Sequence, residues 1–112
     1  MNLEPGYADA KLITDEVLTR YHDLLLAPGV RGAVLQRMAQ TILSDPVPIL
    51  QRVRAPTLLV WGQRDAMIPF RNAADYLRWL PDARLVALPD VGHLPHEEAP
   101  QQALTRVREF LR

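Results

Sequence analysis

The chain has 112 residues, of which 48% are hydrophobic and 23% charged, a composition typical of one small folded domain rather than a disordered segment. Thirteen basic and thirteen acidic residues balance, which argues against binding nucleic acid or an anionic membrane, and the absence of cysteine excludes disulfides and a cysteine nucleophile. Residues 1–6 lack the features of a secretory signal and no apolar run of transmembrane length follows, so we expect a cytoplasmic protein.

The segment before residue 53 carries two helical patterns. Thr14-Asp15 can cap a helix whose apolar positions recur at helical spacing until Pro28-Gly29 ends it. A second amphipathic run extends from Val30 to about Ile42, with apolar residues along one side. Ser44-Asp45-Pro46 then begins a turn or a new short helix. We expect the two longer helices to pack against each other as a hairpin.

The pattern becomes that of a strand after Pro56. Thr57–Trp61 is almost wholly apolar, is rich in β-branched and aromatic residues, and stops at Gly62. Because both faces of such a strand are apolar, the segment is predicted to be a buried parallel strand.

A helix, a second strand and a final helix follow. Pro69 opens a helical stretch that ends at Pro81-Asp82, and Leu85–Leu88 supplies the second short strand. Residues 89–99 are predicted to form a loop, and a last amphipathic helix begins at about Pro100. The sequence therefore predicts one βαβ unit followed by a helix.

Two residues with catalytic chemistry come after the predicted strands. Asp65 follows the first strand, and His93 follows the second, 28 residues further on. A carboxylate at one strand end can accept the Nδ1 proton of an imidazole from the neighbouring strand end, which leaves Nε2 free as a base. Gly62 and Gly92 would let the backbone turn sharply next to this pair, where a Cβ would crowd the site.

Several short motifs in the second half of the chain occur in a characteristic order. They are Pro56–Gly62, Asp65, Ile68-Pro69, and then Val91-Gly92-His93 with Pro95, Glu98 and Pro100. In this order they resemble the C-terminal end of an α/β-hydrolase. The resemblance implies an α/β fold, with residues 53–112 as the C-terminal βαβα part of the hydrolase core and residues 1–52 as the end of a cap region. It also implies that Asp65 is the catalytic acid and His93 the general base.

The nucleophile of that family is not evident in this sequence. In these hydrolases a Gly-x-Ser-x-Gly elbow precedes the acid and the base, and no such elbow occurs here. The only serine, Ser44, lies in Leu43-Ser44-Asp45-Pro46, where a helix-terminating or capping role is expected. The strands that precede the cap are also missing. We therefore expect the tail of a longer hydrolase, or a remnant of one, with little activity alone.

Two functions of different class remain open. In a complete enzyme that acts on a small-molecule substrate, Asp65 would orient His93, which would activate a serine hydroxyl or, beside an aspartate nucleophile, a water molecule. Ester, epoxide and carbon–halogen bonds are all possible targets. Alternatively, the chain is a non-catalytic remnant or a protein-interaction module, because a two-stranded sheet leaves an apolar edge exposed. That edge predicts self-association or binding to an N-terminal hydrolase half.

Apolar residues beside the acid and base are candidates for a substrate pocket, with core packing as an equal alternative. They are Trp61, Met67, Ile68 and Leu94, and Tyr7 and Tyr21 are weaker candidates.

A metal site and a cofactor are not expected. His93, His96 and Glu97 have spacings that metal ligands can share, but Pro95 interrupts the helix that would align them. Glu97 and Glu98 are instead predicted to stabilise the positive N-terminus of the last helix. No other ligand clusters with them in the sequence.

Overall fold

A computed structural model describes residues 2–112, which form six α-helices and two β-strands. In chain order they are α1 (Asp15–Leu26), α2 (Val30–Ala39), α3 (Val47–Leu50), β1 (Thr57–Gly62), α4 (Ala73–Trp79), β2 (Ala83–Leu88), α5 (Pro95–Glu98) and α6 (Pro100–Phe110). Single 3-10 turns lie at Glu4–Gly6, Ala10–Leu12 and Phe70–Asn72. The order of helices and strands confirms the predicted α/β fold.

The two strands are parallel and are joined through α4. Their register runs from Thr57 opposite Ala83 to Gly62 opposite Leu88, so both strands end at the same edge of the sheet. This common edge is where the segments that carry Asp65 and His93 leave the sheet.

The helices α4 and α6 cover opposite faces of this small sheet. The ring of Trp61 on β1 lies 5.7 Å from the ring of Tyr76 on α4, measured between centroids. On β2, the guanidinium of Arg84 lies 5.9 Å from the ring centroid of Phe110 on α6. Since side chains alternate between the faces of a strand, Trp61 and Arg84 belong to opposite faces in this register. The result is a three-layer arrangement with one helix on each side.

The predicted helical hairpin is present, and its ends follow the local sequence. The Thr14 hydroxyl accepts a hydrogen bond from the Val17 amide at 3.3 Å and so caps α1. Gly29, which has a φ of 84°, turns the chain from α1 into α2. The prediction that the second helix reaches Ile42 was wrong, because α2 ends at Ala39.

The apolar stripe of α2 is less covered than the sequence suggested. Val34 is 46% exposed and Met38 is 68% exposed, although α1 and α2 are in contact. The helical periodicity was correct, but no element of residues 2–112 covers this stripe.

Two local predictions in the second half need correction. The segment 89–99 was predicted as a loop, yet Pro95–Glu98 forms the short helix α5. Pro95 occupies the first helical position, where its missing N–H costs nothing and its fixed φ suits a helix. Pro69 precedes a 3-10 turn, and the α-helix itself begins at Ala73.

The described residues expose more surface than a self-contained domain of this size. Their accessible surface is 8563 Å², against about 6,200 Å² expected for a folded monomer of this mass. The radius of gyration is 16.2 Å, against about 13 Å expected. Thr57–Trp61 is consequently half-buried. It is less enclosed than the buried parallel strand that its apolar run predicts, in agreement with the exposed apolar edge expected of a two-stranded sheet. Within residues 2–112, no helix is long and apolar enough to cross a membrane.

Candidate active site

Asp65 and His93 meet at the carboxyl edge of the sheet, as the strand order predicted. His93 Nδ1 lies 2.9 Å from Asp65 Oδ2. The Asp65 side chain is 5% exposed, whereas the His93 side chain is 30% exposed. The carboxylate is therefore enclosed, while the imidazole keeps one side open to solvent.

The second oxygen of Asp65 is held by the backbone. Oδ1 accepts hydrogen bonds from the amides of Met67 at 2.9 Å and Ile68 at 2.8 Å. Burial alone would raise the pKa of Asp65, but the bonds from Ile68, His93 and Met67, together with the charge of His93, outweigh it and lower this pKa. Asp65 is thus ionised at neutral pH and fixes the imidazole through Nδ1. No hydrogen bond from residues 2–112 occupies Nε2, which is the geometry of a general base.

The close approach of two glycines makes this arrangement possible. A Cβ on Gly62 would collide with the carbonyl oxygens of Val91 and Gly92. A Cβ on Gly92 would lie 2.7 Å from the Ala8 amide nitrogen. Neither glycine has a positive φ, so the requirement is for space and not for an unusual backbone conformation. The predicted crowding at both positions is confirmed.

The N-terminal segment lies directly against the loop that carries His93. The His93 amide donates to the Gly6 carbonyl at 3.0 Å. Glu98 binds both segments, because Oε1 accepts from the Gly92 amide and Oε2 accepts from the Ala8 amide, each at 2.7 Å. No side chain of residues 2–112 makes a capping hydrogen bond to α6, and the predicted stabilisation of its N-terminus by Glu98 stays a prediction.

Glu97 makes a second connection between the same two parts of the chain. Its carboxylate accepts hydrogen bonds from the hydroxyls of Tyr7 and Tyr21, the latter at 2.7 Å, and pairs with Arg20 at 3.0 Å. Burial would raise the pKa of Glu97, but the two tyrosine hydroxyls and the charges of Arg20 and His96 lower it. The predicted effect of Glu97 on the N-terminus of α6 likewise stays a prediction, since its carboxylate binds these three side chains.

Tyr7 and Tyr21, the weaker pocket candidates in the sequence, both donate to Glu97. Tyr7 is 7% exposed, and its pKa is raised by burial and by the hydrogen bond to Glu97. The pKa of Tyr21 is raised first by its hydrogen bond to Glu97 and then by burial. Both phenols therefore stay protonated as donors to this carboxylate.

The four predicted pocket residues have different surroundings. Trp61 packs on Tyr76 and donates its Nε1 hydrogen to the Ile68 carbonyl at 3.2 Å. Met67 and Ile68 are 57% and 42% exposed beside Asp65, and Leu94 is half-buried. Their contact with a substrate stays a prediction.

Ser44 and His96, which the sequence also offered, make no hydrogen bond to Asp65 or His93 within residues 2–112. Ser44 is exposed between α2 and α3, and no hydrogen bond within residues 2–112 joins it to His93. Asp45 is the residue that binds the start of α3, since its Oδ1 accepts from the Val47 amide at 3.0 Å. The His96 side chain is 71% exposed. The described part of the chain has no cluster of three or more potential ligands arranged for a metal ion.

The family of this chain follows from its sequence match. Residues 3–107 match the α/β-hydrolase family. The chain belongs to the α/β-hydrolase family. The fold agrees: a crystal structure of a candidate lipase from Acinetobacter baumannii superposes with a TM-score of 0.79 at 30% identity, over 97% of this chain and 38% of that protein.

Two relatives show how large a part of a longer protein this chain matches. A pimeloyl-[acyl-carrier protein] methyl ester esterase from Aromatoleum aromaticum is 34% identical over 85 residues, covering 76% of this chain and 33% of that protein. A dihydrolipoyllysine-residue acetyltransferase component of the acetoin cleaving system from Pseudomonas putida is 40% identical over 113 residues, covering 95% of this chain and 28% of that protein. The chain thus spans about a third of the length of these relatives.

Proposed function

We propose that this α/β-hydrolase chain supplies the acid and base of an ester-hydrolysing site, with His93 as general base and Asp65 as the residue that orients it. The observation that supports this most is the 2.9 Å contact between His93 Nδ1 and the enclosed Asp65 carboxylate, with Nε2 left open. An imidazole held in this way can take a proton from a nucleophile at Nε2 and return it to the leaving group. The ionised Asp65 stabilises the imidazolium that forms in between.

The relatives favour an ester over the epoxide and carbon–halogen alternatives. One similar protein is named as a methyl ester esterase and another as a candidate lipase. In this proposal Met67 and Ile68, which are exposed and apolar beside Asp65, contact the substrate together with Trp61 and Leu94. Apolar walls with few polar groups are typical of such pockets.

The nucleophile is proposed to come from a hydrolase N-terminal half. The sequence contains no Gly-x-Ser-x-Gly elbow, and its only serine, Ser44, makes no hydrogen bond to His93 within residues 2–112. A base and an orienting acid without a nucleophile and an oxyanion hole lack most of the catalytic machinery. The chain alone should therefore hydrolyse little.

A non-catalytic interaction module is the second candidate. Its support is the large exposed surface and the half-buried strand β1. Both features fit a chain that binds a partner, but they do not account for the Asp65–His93 geometry.

A chimeric enzyme tests the proposal. The matching region of the Aromatoleum aromaticum esterase would be replaced by this chain, and hydrolysis of a short p-nitrophenyl ester would be measured. We expect His93→Ala to abolish turnover and Asp65→Asn to reduce kcat by about 10⁴-fold. His22→Ala is the matched control, because the His22 side chain is 65% exposed on α1. A folded chimera whose turnover survives His93→Ala would refute the proposed role.

The isolated chain provides the complementary measurement. We expect its p-nitrophenyl ester hydrolysis to equal that of its His93→Ala and Asp65→Ala variants, since no nucleophile is present for the pair to activate. Activity that both substitutions remove would show a nucleophile elsewhere in this chain.

A further inference from the structure

Glu98 occupies an unusual position between the His93 loop and the N-terminal segment. Its two carboxylate oxygens are each used once, by the Gly92 amide and the Ala8 amide, both at 2.7 Å. Gly92 precedes His93 directly in the chain, and the His93 amide itself donates to the Gly6 carbonyl at 3.0 Å. Three hydrogen bonds thus hold the backbone of Gly92 and His93 against residues 6–8.

The geometry requires an acceptor with two equivalent oxygens. Two backbone amides point at the Glu98 side chain, and an ionised carboxylate is a side chain that accepts at both oxygens without presenting a donor. A glutamine would place an NH₂ group against one of the two amides. Space is also restricted, since a Cβ on Gly92 would lie 2.8 Å from Glu98 Oε1.

We propose that Glu98 is a positioning residue that holds His93 in contact with Asp65 by joining residues 6–8 to the His93 loop. This inference rests on the proposed function, in which His93 is the base. It follows that the position of His93 depends on the position of residues 6–8. A displacement of residues 6–8 changes the position of the imidazole, although these residues do not touch the reacting atoms themselves.

Nuclear magnetic resonance on the full 112-residue chain, kept below the concentration at which light scattering detects association, tests this without any hydrolysis assay. The His93 Nδ1 proton, which the bond to Asp65 shields from solvent, gives a signal that Asp65→Asn identifies by removing it. In Glu98→Gln we expect this signal to be lost by exchange, and the Gly92 and Ala8 amides to exchange at least about tenfold faster. Glu109→Gln is the control, because Glu109 is exposed on α6.

The pattern of exchange separates positioning from a general loss of stability. If Glu98 positions His93, the faster exchange is confined to residues 6–8 and 92–93, and amides of β2 and α6 keep their protection. Uniformly faster exchange over the whole chain, or an unchanged Nδ1 signal in folded Glu98→Gln, would overturn the proposal. Should Glu98→Gln not fold, Glu98→Asp gives the same reading, since its shorter side chain keeps the charge but cannot reach both amides.

The result is independent of the hydrolysis experiment. Loss of the Nδ1 signal in Glu98→Gln would support positioning even if the chimera were inactive. A chimera that depends on His93 while Glu98→Gln leaves the signal intact would support the proposed function and reject this inference.

Discussion

Gly62 and Gly92 are in direct contact, so that the end of β1 touches the loop that carries His93. The contact involves the carbonyl oxygen of Gly92 and leaves no volume for a side chain at position 62. Two further backbone bonds accompany it, from the Gln63 amide to the Leu88 carbonyl at 2.9 Å and from the Arg64 amide to the Val91 carbonyl at 3.0 Å. Asp65 and His93 are therefore held together by backbone contacts as well as by their own hydrogen bond.

Gly62→Ala should separate the two loops. The added methyl group would overlap backbone atoms that cannot move independently, and we expect the free energy of unfolding to fall by about 1–3 kcal/mol. Gly32→Ala is the matched control, because nothing lies within 4 Å of a Cβ at that position of α2. Alanine there should raise the free energy of unfolding by about 0.5–1 kcal/mol. Urea unfolding of both variants gives the comparison, and equal stability of the two would contradict the crowding at Gly62.

Acid should weaken the structure through Asp65 and Glu97. Both carboxyls have a lowered pKa in the folded chain, so the unfolded chain binds more protons at pH values below their ordinary values of 3.8 and 4.5. Their stabilisation is complete above these values and is lost as the pH falls through the lowered folded pKa of each. We expect the stability of the double variant Asp65→Asn, Glu97→Gln to depend less on pH in this range. Urea unfolding from neutral pH to about pH 2 measures this.

The control for the acid experiment is Asp23→Asn, because the Asp23 side chain is 71% exposed. Its pH profile should follow that of the unmodified chain. A double variant with the same acid sensitivity as the unmodified chain would show that other groups govern acid unfolding.

Tyr7→Phe should destabilise the chain more than Tyr21→Phe. Tyr7 is 7% exposed and donates to the charged Glu97, so loss of this hydrogen bond should lower the free energy of unfolding by about 1.5–3 kcal/mol. Tyr21 is more accessible, so in Tyr21→Phe a water molecule can donate to Glu97 in place of the lost hydroxyl. Thermal or urea unfolding of the two variants provides the test. The opposite order of stability would show that Tyr21 makes the stronger connection to Glu97.

Alkali should act on the same two tyrosines. Their pKa values are raised above the ordinary 10.0, so their contribution to stability is complete below that value and is lost as the pH rises through each raised value. Spectrophotometric titration should show phenols that ionise late in the folded chain. Tyr7→Phe should remove one of them, and an unchanged titration curve in that variant would contradict the burial of Tyr7.

The isolated chain should self-associate or precipitate at high concentration. Its accessible surface is more than a third larger than that of a folded monomer of this mass, which is about 6,200 Å². The strand β1 is also only half-buried. Light scattering at increasing concentrations measures this, with a rise in apparent mass as the expected result. A monodisperse monomer with a cooperative melt would show that the exposed surface is stable in water.

Local sequence patterns predicted most of the elements and the meeting of Asp65 with His93. Helical spacing and the run Thr57–Trp61 report interactions over a few residues, and Asp65 and His93 belong to consecutive strand ends that a parallel βαβ unit brings together. The apolar character of β1 showed what that strand can bury, but periodicity carries no information on whether a covering element is present. The strand is therefore less buried than its apolar run alone indicates, as expected for a sheet of only two strands.

The contacts of Glu97 and Glu98 could not be read from the sequence. Glu97 is 90 residues from Tyr7 and 76 from Tyr21, and Glu98 is 90 from Ala8. Local spacing does not link such distant positions. From spacing alone, the predicted partner of the two carboxylates is the nearest helix terminus, the N-terminus of α6. The helix α5 was missed because Pro95 is compatible both with a loop and with the first position of a helix.

The two sets of contacts around His93 differ in the length of chain that each must close. The bond between His93 and Asp65 spans 28 residues, whereas that between Glu98 and Ala8 spans 90. Loop-closure entropy makes the longer closure about 1 kcal/mol less favourable before any contact energy is gained. The contact between Glu98 and Ala8 therefore carries the larger entropic cost, and the attachment of residues 6–8, which completes the positioning of His93, is expected to be a late step in folding.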